Sequence, residues 1–248
     1  MQPVVLVTGA SAGIGQAVAI KAAQSGYAVG INYCHQADAA HTLQQQLQAK
    51  GAKAACIQAD VSQEAEVVAM FEAVEQQLGT PTALVNNAGL ISPLGAFETI
   101  DQQRLERLFA VNITGSFLCA REAVKRMATK HGGRGGAIVN VSSVAASLGS
   151  PYEFIDYAAS KGAIDTLTKG LAKEMATEGV RVNAVRPGLI DTAIHGHAGD
   201  NERPERLKSA IPMQRAGSAE EVADAIIWLL SDEASYITGS LLDVSGGR

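Results

Sequence analysis

Residues 4–15 run Val-Val-Leu-Val-Thr-Gly-Ala-Ser-Ala-Gly-Ile-Gly, and no other stretch restricts the fold as much. A short apolar run rich in β-branched residues and bounded by glycine reads as a strand buried on both faces, as in a parallel sheet. Gly9, Gly13 and Gly15 then allow a tight turn, and a helix is predicted over 16–25, closed by Gly26. Parallel strands cannot be joined by a hairpin; they need a crossover, usually a helix. Strand, glycine turn and helix together also form an anion cradle. The helix N-terminus offers free N–H groups and a positive dipole end to a pyrophosphate. The spacing is Gly-x-x-x-Gly-x-Gly rather than Gly-x-Gly-x-x-Gly, so the strand–turn–helix context carries the reading.

The rest of the chain repeats the alternation. Strands are predicted over 27–33, 53–59, 83–85, 137–141, 180–185 and 241–244. Helices are predicted over 38–50, from Ser62 as cap to about 78, over 101–130, over 152–177 and over 218–230. Ser218-Ala219-Glu220-Glu221 is a capping box. The glycine-rich segment 131–136 is expected to be a flexible loop. Residues 189–215 are expected to form a substrate lid, with a short helix near 206–210. Such alternation implies the α/β class: a Rossmann-type doubly wound sheet of about seven parallel strands with helices on both faces. One domain spanning 1–248 is expected.

Composition excludes several classes. The 248 residues, 47% hydrophobic and 18% charged, suffice for one large core. A net charge of −5 leaves no basic footprint for nucleic acid. No apolar run approaches the ~18 residues of a membrane span, and the first residues lack the features of a signal peptide. Cys34, Cys56 and Cys119 are odd in number and widely spaced, matching neither a disulfide framework nor a metal pattern. Reduced thiols in the cytoplasm are expected. His195 and His197 have no third ligand candidate close in sequence, so no metal is expected.

Two neighbouring segments carry the chemistry. Asn140-Val141-Ser142-Ser143 would end the fifth strand, and Asp156-Tyr157-Ala158-Ala159-Ser160-Lys161 would open the following helix. Residues four apart share a helix face, which puts Tyr157 beside Lys161. A phenol titrates near ~10, and an adjacent ammonium is expected to lower that value. A nearby serine can hold the oxygen of a carbonyl or alcohol. Adjacent strand residues face opposite ways, so only one of Ser142 and Ser143 can serve. Asn112 is an amide inside an apolar helical stretch; buried, it needs backbone or an ordered water as partner. The segment 86–89 lies at a strand's C-terminal edge, where open α/β sheets place ligands. Arg104, Arg107, Arg121 and Lys125 are candidate docking cations for an acidic partner, with solvated helix charge as the competing explanation.

In dinucleotide folds an acid ~20 residues past the glycines binds the ribose hydroxyls and selects NAD. Here Asn32-Tyr33-Cys34-His35 brings no carboxylate before Asp38. A 2′-phosphate would meet no negative charge from this segment, so NADP(H) is favoured over NAD(H). Ala12 and the strand end supply no Arg or Lys to hold that phosphate.

Taken in order, these motifs resemble those of the short-chain dehydrogenases/reductases, in their compact single-domain branch, over essentially the whole chain. Thr8-Gly9-x-x-x-Gly13-x-Gly15 resembles the family's cofactor turn, Asp60 its adenine contact, Asn87-Ala88-Gly89 its mid-sheet motif, and Pro187-Gly188 with Thr192 its nicotinamide segment. Asn112, Ser143, Tyr157 and Lys161 resemble its catalytic tetrad. The resemblance implies an NAD(P)(H)-dependent oxidoreductase that interconverts a carbonyl and a secondary alcohol. It implies Tyr157 as general acid or base, with Lys161 lowering its pKa and binding the nicotinamide ribose. It further implies Ser143 on the substrate oxygen and Asn112 keeping a water in a proton relay. The expected cofactor contacts are Thr8, Gly9, Ser11, Ala12, Gly13, Ile14, Gly15, Tyr33, Asp60, Val61, Asn87, Ala88, Gly89, Tyr157, Lys161, Pro187, Gly188, Ile190 and Thr192. A 3-oxoacyl thioester, a ketone and a sugar or polyol all fit as small-molecule substrates. A homotetramer or dimer through the helices around 101–130 and 152–177 is implied; a non-catalytic dinucleotide-binding regulatory protein is the alternative. Ser143 and Tyr157 are fourteen residues apart, one more than is common in the family. Ser142 would lengthen that gap, so Ser143 is preferred, and the extra residue is expected to bulge within 150–155.

Overall fold

The computed structural model describes residues 2–191 and 206–248. Part of the expected lid, 192–205 with Thr192, His195 and His197, lies outside the described residues. One sheet holds seven strands: β1 (Val4–Val7), β2 (Ala28–Tyr33), β3 (Ala54–Gln58), β4 (Ala83–Asn86), β5 (Gly136–Val141), β6 (Val180–Pro187) and β7 (Leu241–Val244). Their order is β3-β2-β1-β4-β5-β6-β7, and every pairing is parallel. The helices are α1 (Gly13–Gln24), α2 (Ala37–Ala49), α3 (Glu64–Leu78), α4 (Gln102–Phe109), α5 (Ser116–Met127), α6 (Ala145–Leu148), α7 (Ile155–Met175) and α8 (Ala219–Leu230). None of those described is long and apolar enough to cross a membrane.

Side-chain alternation along β1 divides the core in two. Val5 and Val7 pack with Val18 of α1, Leu43 of α2 and Ile226 of α8. Val4 and Leu6 face the other way, onto Phe71 of α3, Ala123 of α5 and Met175 of α7. Both faces are covered, which is why the strands read as unbroken apolar runs. The sheet grows in opposite directions from the β1–β4 junction, and a ligand crevice forms at such a switch point, beyond the strands' C-terminal ends.

Three local expectations change. The pattern over 101–130 is not one helix. Asp101 caps α4 by accepting from Arg104 N at 2.8 Å, and a π turn at Ala110–Gly115 separates α4 from α5. The widened turn sets Asn112 inward. Gly115 within it is needed because a Cβ there would come within 2.8 Å of Val61 Cγ2. Ser62 does not cap α3: its N–H and hydroxyl both donate to Asp60 Oδ1, at 2.9 and 2.7 Å. The segment 131–136 is a tight crossing rather than a flexible loop. A Cβ on Gly133 would lie 2.2 Å from Met127 O, and one on Gly135 would lie 2.5 Å from Gly179 O. The capping box of α8 forms, with Glu221 N donating to Ser218 Oγ and Ser218 N to Glu221 Oε2.

Candidate active site

A cavity of about 650 Å³ opens at the switch point, a size suited to a small-molecule ligand. Its first wall is the glycine turn. Gly9 and Gly13 have φ of +61° and +56°, a region that favours glycine. The turn is held from outside by Asn32, whose Oδ1 accepts from Gly9 N at 3.1 Å. Asn32 Nδ2 donates to Ile57 O and Ala59 O, at 3.3 and 3.1 Å. Thr8 is fully enclosed and acts as a staple: its Oγ1 accepts from Asn87 N and Ala88 N, each at 3.0 Å. Asn87 Nδ2 returns two bonds, to Thr8 O and Gly9 O. Gly15 fits against that amide, where a Cβ would sit 2.5 Å from Asn87 Nδ2.

The opposite wall is built by the end of β5 and the start of α7. Tyr157 and Lys161 lie together, with Lys161 Nζ 5.5 Å from the Tyr157 ring centroid. Lys161 is buried and donates to Val141 O at 2.7 Å. Burial pulls its ammonium down to about 8, against the opposing charge of Asp165. The sequence-based expectation for Tyr157 is reversed among the protein groups. Burial pushes the phenol up to about 12, and a hydrogen bond with Ser143 offsets only part of that. The cause is burial of the phenol; the lysine head group, which donates to Val141 O, is not among the groups that lower it. Ser143 Oγ accepts from Ala145 N at 3.1 Å and faces Tyr157. Ser142 turns the other way, its Oγ donating to Asp165 Oδ1 at 2.6 Å. In the turn before α7, Ser150 and Tyr152 have φ of 45° and 63°.

Asn112 stands behind this wall. Its Oδ1 accepts from Leu90 N at 2.7 Å, and its Nδ2 donates to Leu90 O and Ser160 Oγ. The amide is thus engaged with protein partners, two of them on the backbone, rather than aimed at the cavity. A Cβ built on Gly89 would lie 3.5 Å from Asn112 Oδ1 and 3.6 Å from Lys161 Nζ, so both head groups flank that glycine.

Of the remaining expected contacts, Ser11, Ala12, Ile14, Ala88, Gly89, Pro187, Gly188 and Ile190 line the cavity with Gly9, Gly13 and Asn87. Tyr33 does not: it is buried, with its ring edge-on to His41 at 5.9 Å. Asp60 lies off the wall with Val61. Partial burial opposes its ionisation, but hydrogen bonds from Ser62 and Arg107 hold it below its usual range. The sequence reading missed Gln36, which accepts from Ser11 Oγ at 2.9 Å, and the apolar lining residues Ile91, Leu148, Phe154 and Leu207. These come from segments without motifs, so only their convergence marks them. The four candidate docking cations are all paired. Arg104 holds the fully buried Asp156 side chain, Arg107 meets Asp60, and Arg121 and Lys125 meet Glu122. No group of three or more potential metal ligands occurs among the described residues.

Comparison with known proteins agrees with this architecture. The family profile described as enoyl-(acyl carrier protein) reductase matches residues 9–248. The chain is 56% identical over 245 residues to an uncharacterised oxidoreductase of Escherichia coli, YgfF, covering 99% of each protein. It is 37% identical over 242 residues to the 3-oxoacyl-[acyl-carrier-protein] reductase FabG of Staphylococcus aureus, covering 98% of this chain and 96% of that one. A crystal structure described as ribose-5-phosphate isomerase from Brucella melitensis superposes with a TM-score of 0.88 at 31% identity, covering 99% of this chain and 92% of the other. With its glycine turn, its Ser143–Tyr157–Lys161 wall and these relatives, the chain belongs to the short-chain dehydrogenase/reductase family of oxidoreductases.

Proposed function

We propose that the protein is an NADP(H)-dependent oxidoreductase that interconverts a carbonyl and a secondary alcohol. The observation that carries the reading is the convergence of Ser143, Tyr157 and Lys161 on the cavity that the glycine turn closes at its other end. The turn fits a dinucleotide: α1 begins with no side-chain cap and no acid in its first turn, leaving its N–H groups and dipole free for a phosphate. Bound there, NADP(H) would supply or accept the hydride. The chain's own residues manage the proton. A phenol pushed up to about 12 stays protonated at neutral pH and can donate to a carbonyl oxygen held by Ser143. Lys161 stands behind it to restore the proton.

The absence of a carboxylate at the end of β2 supports NADP(H). Ser11 and Gln36 offer neutral polar groups there, and Asp60 is occupied by Ser62 and Arg107. Ile91, Leu148, Phe154 and Leu207 favour a carbonyl compound with an apolar body over a sugar. A 3-oxoacyl thioester is compatible, as the name of the staphylococcal relative suggests. An acyl-carrier partner would need cations other than Arg104, Arg107, Arg121 and Lys125, which are spent on ion pairs. The assembly is proposed to be a dimer or tetramer built on α5 and α7. Its support is the apolar groove lined by Ile113, Phe117, Val124, Leu167 and Leu171. A cytoplasmic location is proposed from the three free cysteines.

The test compares NADPH with NADH by calorimetry, then assays Tyr157→Phe. Preferential NADPH binding, with turnover falling about 10²–10⁴-fold in the variant while binding persists, is the expected result. Full turnover by Tyr157→Phe would overturn the mechanism, and binding without any turnover by the wild-type protein would favour a regulatory dinucleotide-binding role.

A further inference from the structure

Behind the Tyr157–Lys161 pair lies a polar cluster that the proton-transfer reading does not use. Asp165 stands one helical turn beyond Lys161 on α7, on the same face. Its Oδ1 accepts a 2.6 Å hydrogen bond from Ser142 Oγ, a hydroxyl that also lies 3.1 Å from Lys161 O. Its Oδ2 is 3.5 Å from Arg186 Nη1. Arg186 donates in turn to Ser147 Oγ at 2.8 Å and to Asp243 Oδ1 at 2.6 Å. The Asp165 and Arg186 side chains are only 13% and 18% exposed, so salt and water screen them weakly. One carboxylate therefore joins the helix bearing Lys161, the strand end bearing Ser143 and, through Arg186, strand β6.

Few other charges surround Lys161. Asp156, Tyr157 and Asp165 share its helix, Arg186 lies on β6 and Asp243 on β7, and Glu153 and Arg248 line the same cavity. Arg104 of α4 is committed to Asp156. The end of β5, the π turn and α6 contribute only neutral polar groups: Ser142 and Ser143, Asn112, and Ser147.

We propose that Asp165 is a positioning residue that sets the charge state of Lys161, that Arg186 moderates its effect, and that the Asp165–Ser142 bond turns Ser143 towards Tyr157. This inference rests on the proton-transfer role proposed above for Tyr157 and Lys161. A carboxylate favours a neighbouring ammonium and opposes the desolvation that disfavours it; Asp165 is the charge that offsets burial at Lys161. Arg186 acts with the opposite sign, by sharing that carboxylate and by its own positive charge. Removing the carboxylate must make Lys161 more acidic, whereas removing Arg186 must make it less acidic. Loss of packing alone would not move one titration in two directions.

The experiment uses the full chain with Asp165→Asn, Arg186→Gln and Asp165→Glu. Lys161 is titrated by NMR with ¹³Cε-labelled lysine, its resonance assigned by its loss in Lys161→Met. In parallel, the pH profile of NADPH-dependent reduction of a 3-oxobutanoyl thioester is recorded. The expected result is an acidic shift of the titration and of the alkaline limb in Asp165→Asn and an alkaline shift in Arg186→Gln. Each should be up to about one pH unit, the larger in Asp165→Asn, whose carboxylate sits one helical turn from Lys161. Asp165→Glu should stay close to wild type. Unmoved titrations, or shifts of the same sign in Asp165→Asn and Arg186→Gln, would overturn the inference. If the wild-type protein reduces no carbonyl, the proposed activity fails while the NMR titration still decides the charge relation. If it is active and the limb stays in place, the activity stands and the inference fails. Should Asp165→Asn not fold, the alkaline shift in Arg186→Gln decides alone.

Discussion

Asn32 illustrates how a single buried amide can hold a binding turn. It is almost fully enclosed and joins three pieces of backbone: Gly9 N, Ile57 O and Ala59 O. Removing one partner strands buried polar groups, at about 1–3 kcal/mol. Asn32→Ala is therefore expected to lower stability by about that amount in urea denaturation and to weaken NADPH binding, because the Gly9 turn loses its outer anchor. An unchanged affinity would show that the turn holds its shape without it. The role was not legible in sequence, where Asn32 reads as one more residue of the strand at 27–33. Tyr157, Lys161 and the glycines were legible because their spacing is short-range and their chemistry unusual. The direction of the Tyr157 shift was not, since it depends on what covers the phenol and on where the lysine head group goes.

At the scale of elements, the decisive contact is between α4 and α7. Arg104 grips Asp156 with two bonds, 2.7 and 3.1 Å long, and also donates to Pro93 O at 2.9 Å. The Asp156 side chain has no exposure and immediately precedes Tyr157. Removing one partner of a buried pair leaves an uncompensated charge, costing roughly 3–5 kcal/mol. Arg104→Ala should thus destabilise the protein by about that much, read from the denaturation midpoint, and reduce turnover by loosening the start of α7. A loss below about 1 kcal/mol, the level of an exposed pair, would contradict the burial argument. Helical periodicity across 101–130 was visible in sequence, but the π turn was not. It arises from Asn112 binding Leu90 and from the close approach of Gly115 to Val61, contacts between residues far apart in the chain.

For the molecule as a whole, the groove between α5 and α7 carries Phe117 at 47% exposure, an apolar side chain suited to a partner subunit. Phe117→Glu should shift sedimentation from the expected dimer or tetramer towards smaller species while preserving the folded subunit. A wild-type protein that sediments as a monomer at micromolar concentration would remove the basis for that expectation. Strand–helix alternation, apolar runs and glycine turns were enough to determine a seven-stranded parallel sheet, since crossover connections and two covered faces leave few other arrangements. The motifs at strand ends likewise located the crevice, because parallel strands all direct their C-terminal ends to one edge. Spacing already favoured Ser143 over Ser142; only the tertiary structure decided what buries Tyr157 and Lys161, which cations are already paired and which apolar residues line the cavity. Those properties depend on burial and on partners distant in sequence, and local spacing carries no record of either.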